Sequence, residues 1–145
     1  MRQPLFCYGT LMEPRLMAAV IGRQARPIPA TLDGYQCARL RGRDYPGLWP
    51  QADSQVIGCC YWLNHRRELA RLDHYEGREY RRRRVTLNTA AGPQLGWVYL
   101  PRAGRSKRGR PWSATDFQHR ALRRYLRQVI GWRAGSIAAA DGGGA

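Results

Sequence analysis

Between Gln55 and Leu63 the chain reads Gln-Val-Ile-Gly-Cys-Cys-Tyr-Trp-Leu, an uncharged stretch rich in β-branched and aromatic side chains. Such residues suit a pleated, half-buried surface, so the stretch reads as a strand. Further strand candidates surround it. Residues 5–11 read as a buried strand. Residues 25–40 read as one or two strands bent around the turn pair Asp33-Gly34. Residues 79–88 and 94–100 read as two more, joined around Ala91-Gly92-Pro93. Only three helical patterns accompany them. Glu13-Pro14 suits a first turn, with Leu16, Met17, Val20 and Ile21 on one face and Gly22 as the stop. Asn64 reads as the N-cap of a helix through about Tyr75 that carries Leu69 and Leu72. Ser113 with Asp116 resembles a capping box that opens a helix ending at Gly131. Strands and helices do not alternate as βαβ units would, which argues against a doubly wound sheet. The expected fold is α+β: a small mixed β-barrel-like core with about three flanking helices.

A length of 145 residues allows one domain with a real core. We expect that domain over residues 1–133 and a disordered, small-residue tail over 134–145. Residues 41–50, with Asp44-Tyr45-Pro46-Gly47 at their centre, read as a loop. So does the basic stretch 101–112, which we expect to be flexible. No apolar run reaches the length of a membrane span, and Met1-Arg2-Gln3-Pro4, leading straight into the first strand candidate, is not expected to open a secretory signal. The expected compartment is the cytoplasm. Cys7, Cys37, Cys59 and Cys60 form no C-x-x-C pair, and neighbours in a strand point to opposite faces. The histidines His65, His74 and His119 follow no ligand spacing. Free buried thiols are expected, with no metal and no cofactor.

The charge is lopsided: 25 basic residues against 10 acidic ones, a net of +15, with Lys107 the only lysine. That excess would attract nucleic acid nonspecifically. It reads equally as a compositional habit in which arginine has displaced lysine, and the spread of arginines along the chain favours that account. The densest run, Arg81 to Arg84, lies inside a strand candidate, where Arg82 and Arg84 share a face with Tyr80. A solvated strand face is the default reading; contact with an acidic part of a substrate is the other.

Two segments carry chemistry. Tyr8-Gly9-Thr10-Leu11 lies where a strand gives way to a helix. Backbone N–H groups at such a junction favour a carboxylate or a developing oxyanion, and the hydroxyls of Tyr8 and Thr10 add donors. Leu72-Asp73-His74-Tyr75-Glu76-Gly77 ends a helix with a carboxylate beside a glycine. A carboxylate in a concave site can serve as general base and then as general acid. Glu76 has the more suggestive setting. Asp73 reads as structural, fixing the helix end or pairing with an arginine. Cys7 beside the loop reads as core and not as a nucleophile, and no G-x-S-x-G elbow is present. Taken singly, each segment reads as well as a buried strand or a solvated helix end.

Read together, Tyr8-Gly9-Thr10-Leu11, Gly34-Tyr35, Tyr45-Pro46-Gly47, Val56-x-Gly58 and Leu72-Asp73-x-Tyr75-Glu76-Gly77-x-x-Tyr80-x-Arg82-x-x-Val85 resemble the γ-glutamylcyclotransferase-like family, of the γ-glutamylamine cyclotransferase type. The match runs in order from about Leu5 to Leu100. The resemblance implies a barrel-like core and an enzyme that cleaves γ-glutamyl amines or peptides. In that reaction the substrate's own α-amino group attacks the γ-carbonyl, releasing 5-oxoproline and a free amine. By position, Tyr8, Gly9, Thr10 and Leu11 would hold the γ-glutamyl group and Glu76 would move the proton. Tyr35 and Tyr99 are further candidates for the pocket wall. The implied partner is a small γ-glutamyl compound, without a metal or cofactor. The Arg81–Arg84 run and the basic 102–110 stretch are departures from the family pattern. Two other readings remain open: a noncatalytic ligand-binding or regulatory domain on the same scaffold, and a basic nucleic-acid binder.

Overall fold

The computed structural model describes residues 2–104 and 107–135, the last four by their backbone alone. Five strands, β1 (Gln3–Cys7), β2 (Ile28–Arg39), β3 (Pro46–Leu63), β4 (Tyr80–Thr89) and β5 (Gly92–Pro101), close into a barrel in the order β1-β3-β2-β4-β5. Four of the pairings are antiparallel. The seam between β1 and β5 is parallel, with Leu5 opposite Trp97. Closure removes the free edges of a five-stranded sheet. Four helices flank it: α1 (Pro14–Ile21), α2 (Arg66–Glu76), α3 (Ala114–Arg120) and α4 (Leu122–Gly135). The α+β barrel expected from the strand-rich pattern is therefore the observed fold, with one helix more than anticipated.

The strands sort their side chains by alternation. Leu5 and Cys7 of β1, with Cys59, Tyr61 and Leu63 of β3, face outward into a cluster shared with Leu16, Met17 and Val20 of α1 and Leu69 and Leu72 of α2. Phe6, Cys60, Leu32, Val56, Leu87 and Val98 make a second cluster inside the barrel, joined by Tyr8 just past β1. Adjacent Cys59 and Cys60 thus fall in different clusters, and all four cysteines are free thiols.

Several local expectations are corrected. The first strand stops at Cys7; Thr10–Met12 form a 3₁₀ turn that leads into α1. Residues 46–50 are not loop. The β2–β3 hairpin runs past a register shift between Asp33 and Tyr35 and continues to Arg39 opposite Pro46. Turn residues therefore sit in a strand because a long partner strand supplies the ladder. Pro46 opens that strand, where a missing N–H does least harm. Helix α2 starts one residue later than expected, with His65 as its N-cap. Asn64 instead donates its backbone N–H to Glu68 Oε1 at 2.8 Å. Glu68, only 4% exposed, is held as well by Arg23, whose Nη2 donates to Oε1 at 3.1 Å.

Ser113 does cap α3, accepting from the Asp116 N–H at 3.2 Å. The single C-terminal helix is however broken at Ala121 (φ −123°), and α4 runs through Gly131 to Gly135. A lone glycine does not stop a helix whose neighbours form good helical turns. Of the tail expected from residue 134, Ala134 and Gly135 belong to α4, and 136–145 lie outside the described residues. The basic 102–110 stretch is not free throughout. Its 107–110 segment is stitched to residues 39–41 by Arg39 N–H to Arg110 C=O (2.7 Å), Gly109 N–H to Arg39 C=O (2.6 Å) and Arg41 N–H to Lys107 C=O (2.8 Å). Among the described residues no helix is long and apolar enough to cross a membrane.

Candidate active site

A cavity of about 630 Å³ opens where β1 leaves the barrel, between the end of α2, the start of β3 and α4. Gly9, Thr10 and Leu11 lie on its wall together with Glu76, Tyr75 and Tyr99. Two segments more than sixty residues apart in sequence therefore share one cavity. Hydrogen bonding of the 3₁₀ turn begins with Met12 N–H to Gly9 C=O at 3.0 Å. The amides of Thr10 and Leu11 come before that first bond, so they lack partners within the turn.

Gly9 is glycine for a steric reason. Its φ of −125° is not in the left-handed region. A Cβ placed there, however, would stand 2.8 Å from Pro46 Cγ and 3.0 Å from Pro46 Cδ. To the conformational freedom suggested by the sequence, the structure adds a close approach between loop and barrel rim. Gly77, by contrast, does have a positive φ, +70°, and there the chain turns away directly after Glu76.

The tyrosines of the wall are committed to the protein. Tyr8 Oη donates to the Tyr99 carbonyl at 2.5 Å, and Tyr80 Oη to the Pro46 carbonyl at 2.5 Å. Tyr75 Oη and Thr10 Oγ1 share a hydrogen bond of 2.7 Å. Tyr45 Oη donates to Glu79. Burial, followed by the nearby charge of Glu76, pushes the Tyr8 and Tyr75 phenols well above their ordinary value, so both stay protonated. The Tyr8 hydroxyl is thus engaged with Tyr99 and not turned to a ligand.

Asp73 is bound on two sides. Arg82 grips it through Nε to Oδ1 at 2.9 Å and Nη2 to Oδ2 at 3.1 Å, and Tyr99 Oη donates to Oδ1 at 2.6 Å. Arg82 and Arg84 both lie over the Trp97 ring, at 4.4 and 4.5 Å. The shared face of Tyr80, Arg82 and Arg84 is therefore a stacked, paired surface. Arg81 and Arg83 point to solvent.

Glu76 differs from its neighbours. Of the two carboxylates on the cavity wall, Glu79 is held by Tyr45 and by Arg43 (3.3 Å), whereas Glu76 has no hydrogen-bond partner among the described residues. The side chain as a whole is half-buried because it faces the cavity, while protein packs closely around its carboxyl. Burial first, and then the negative charge of Asp73, push that carboxyl up to about 8. Such a group exchanges protons near neutral pH. Cys7 also reaches the cavity, but burial raises its thiol well above the ordinary value, which disfavours a thiolate nucleophile.

Tyr35 is a correction. It sits past the hairpin's register shift, opposite Pro50, and packs on the second cluster instead of the cavity wall. Sequence reading also missed Tyr45, Tyr80, Tyr125 and Gln128, all on the wall. Tyr45 and Tyr80 lay inside quoted motifs. Nothing local marked Tyr125 and Gln128, which α4 delivers from far along the chain.

The family model described as "Gamma-glutamyl cyclotransferase, AIG2-like" matches residues 5–119. AIG2-like protein A of Arabidopsis thaliana is 36% identical over 78 residues, which is 54% of this chain and 47% of that protein. The chain thus spans about half the length of the curated relatives it matches. A solution structure of an Arabidopsis thaliana protein superposes with a TM-score of 0.69 at 22% identity, covering 92% of this chain and 85% of that one. A structure titled gamma-glutamyl cyclotransferase superposes with a TM-score of 0.67 at 15% identity, covering 89% and 86%. At those identities the superpositions speak for the fold.

Proposed function

Because this chain belongs to the AIG2-like γ-glutamyl cyclotransferase family, we propose that it cleaves a γ-glutamyl amine or peptide by cyclising the γ-glutamyl group. The observation that carries this reading is the unpartnered, proton-holding carboxyl of Glu76, on one cavity wall with Thr10 and Leu11, whose amides have no partner within the 3₁₀ turn.

The chemistry asks little more. The α-amino nitrogen bonds to the γ-carbonyl carbon and the carbonyl oxygen takes up negative charge. Amides of the Gly9–Leu11 turn stabilise that oxyanion. Ionised Glu76 takes the proton from the attacking nitrogen and passes it to the departing one. The bond from the γ-carbon to that nitrogen then breaks, leaving 5-oxoproline and a free amine. No water is consumed and the enzyme returns to its starting state. The nucleophile belongs to the substrate, so the protein's main task is to fold it into ring-closing geometry. The bound tyrosines supply a rigid wall for that fold.

The test is to incubate the protein with a panel of γ-glutamyl amines and peptides and to measure 5-oxoproline. Release from at least one class is expected. Binding without release on every member would favour a noncatalytic domain.

Asp73 provides a sharper check. Its charge raises the Glu76 carboxyl, so Asp73→Asn lowers it. Activity needs ionised Glu76 and therefore rises with pH through about 8 in the parent protein. In Asp73→Asn the rise in kcat/KM is expected at lower pH. An unmoved limb would detach Glu76 from the titration.

A further inference from the structure

Outside the cavity the molecule has a second concavity, of about 580 Å³, lined by Arg39, Arg41, Arg43, Arg108 and Arg110 with Gly42, Gly109 and Asp44. Five arginines line it against a single acidic residue. That carboxylate is engaged already, since Asp44 accepts from Arg124. Arg43 leans on Glu79. Arg39, Arg41, Arg108 and Arg110 have no acidic partner among the described residues. The Nε of Arg39 is buried and makes no hydrogen bond at all. A buried donor without a partner is costly, and like charges gathered without counter-charges repel one another. Neither is relieved from within the protein.

The walls are also built, not draped. Residues 39–41 and 107–110 are joined by the backbone hydrogen bonds described above, and Leu40 pairs with Arg108 as a bridge. The backbone that carries Arg39, Arg41, Arg108 and Arg110 is therefore held in place around the hollow. Guanidinium forks bind oxyanions through paired N–H donors, and phosphate offers enough acceptors to serve several at once. A volume of about 580 Å³ holds more than one phosphate group.

We propose that this basin is an anion-binding site for a small compound with two or more phosphate groups. It is separate from the cyclotransferase cavity and stands whether or not that reading holds. The two hollows are neighbours: Arg43 on the basin wall pairs with Glu79 on the cavity wall.

Calorimetry at physiological salt with inorganic phosphate, pyrophosphate and tripolyphosphate tests it. One molecule should bind per chain, with affinity rising along that series. Citrate, a polycarboxylate of similar charge, should bind more weakly than tripolyphosphate. The pair Arg39→Gln with Arg110→Gln should weaken pyrophosphate binding by about tenfold or more. Arg41→Gln with Arg108→Gln, at exposed positions that spare the fold, should do the same. Arg81→Gln with Arg83→Gln removes equal charge from the exposed strand face and should change nothing. Equal weakening by all three pairs would reduce the effect to net charge and overturn the proposal. So would citrate binding as tightly as tripolyphosphate, or binding seen with RNA alone.

Discussion

Glu76→Gln is expected to lower 5-oxoproline release about a thousandfold while leaving the fold intact, as loss of a positioned general base commonly does. Glutamine keeps the shape and the hydrogen-bonding reach but cannot carry the proton. The substitution should also stabilise the protein in alkali. The unfolded carboxyl titrates near 4.5 and the folded one at about 8. Below the lower value both states hold the proton and parent and variant are alike. Above it the unfolded chain gives up its proton while the folded chain resists, so the parent loses stability until the pH passes about 8. The variant escapes that loss, by about 2 kcal/mol near pH 9, since the cavity's own opening to water moderates the full shift. A dead variant with a higher midpoint in alkaline thermal unfolding is the combined signature. Unchanged turnover would remove Glu76 from the mechanism.

Gly9→Ala is expected to reduce kcat/KM about a hundredfold with little loss of stability. The added methyl must move the loop or Pro46, because the two would stand 2.8 Å apart. A shift approaching an ångström in the loop carrying the proposed oxyanion donors is enough for that loss. Pro46→Ala removes the ring atoms in the way and keeps the backbone carbonyl to which Tyr80 donates. The double variant should therefore recover much of the activity that Gly9→Ala loses. Recovery measured as a double-mutant cycle separates a steric cause from a conformational one. No recovery would return the requirement to the glycine backbone.

Much of this fold was written locally. The uncharged β run of Gln55–Leu63, the apolar stripe of α1 and the Ser113 cap each report on their own neighbourhood, whereas Asp33-Gly34 marks only a register shift inside β2 and no turn. Their sum excluded a doubly wound sheet and pointed to a barrel with helices. Where local signals misled, a distant partner had the last word. Pro46-Gly47 reads as a turn but is held as strand by residues 38–39. Asn64 looks like a cap, yet Glu68 reaches back to its amide.

The candidate site divides the same way. Motif resemblance drew attention to Tyr8–Leu11 and Glu76 because both are short, contiguous segments. What singles out Glu76 was not visible there: Asp73, three residues away, is taken by Arg82 and Tyr99, while Glu76 is left alone. Tyr8 reaches Tyr99 across 91 residues of chain, and Gly9 is set by Pro46. The sequence by itself determined the strand-rich, helix-flanked architecture and singled out the two segments that line the cavity, because periodicity, turns and short motifs are properties of neighbouring residues. Only the tertiary structure decided which carboxylate is free, why Gly9 must lack a side chain, and where five arginines line one hollow. Those depend on closure of the barrel, which brings together groups that no local pattern relates.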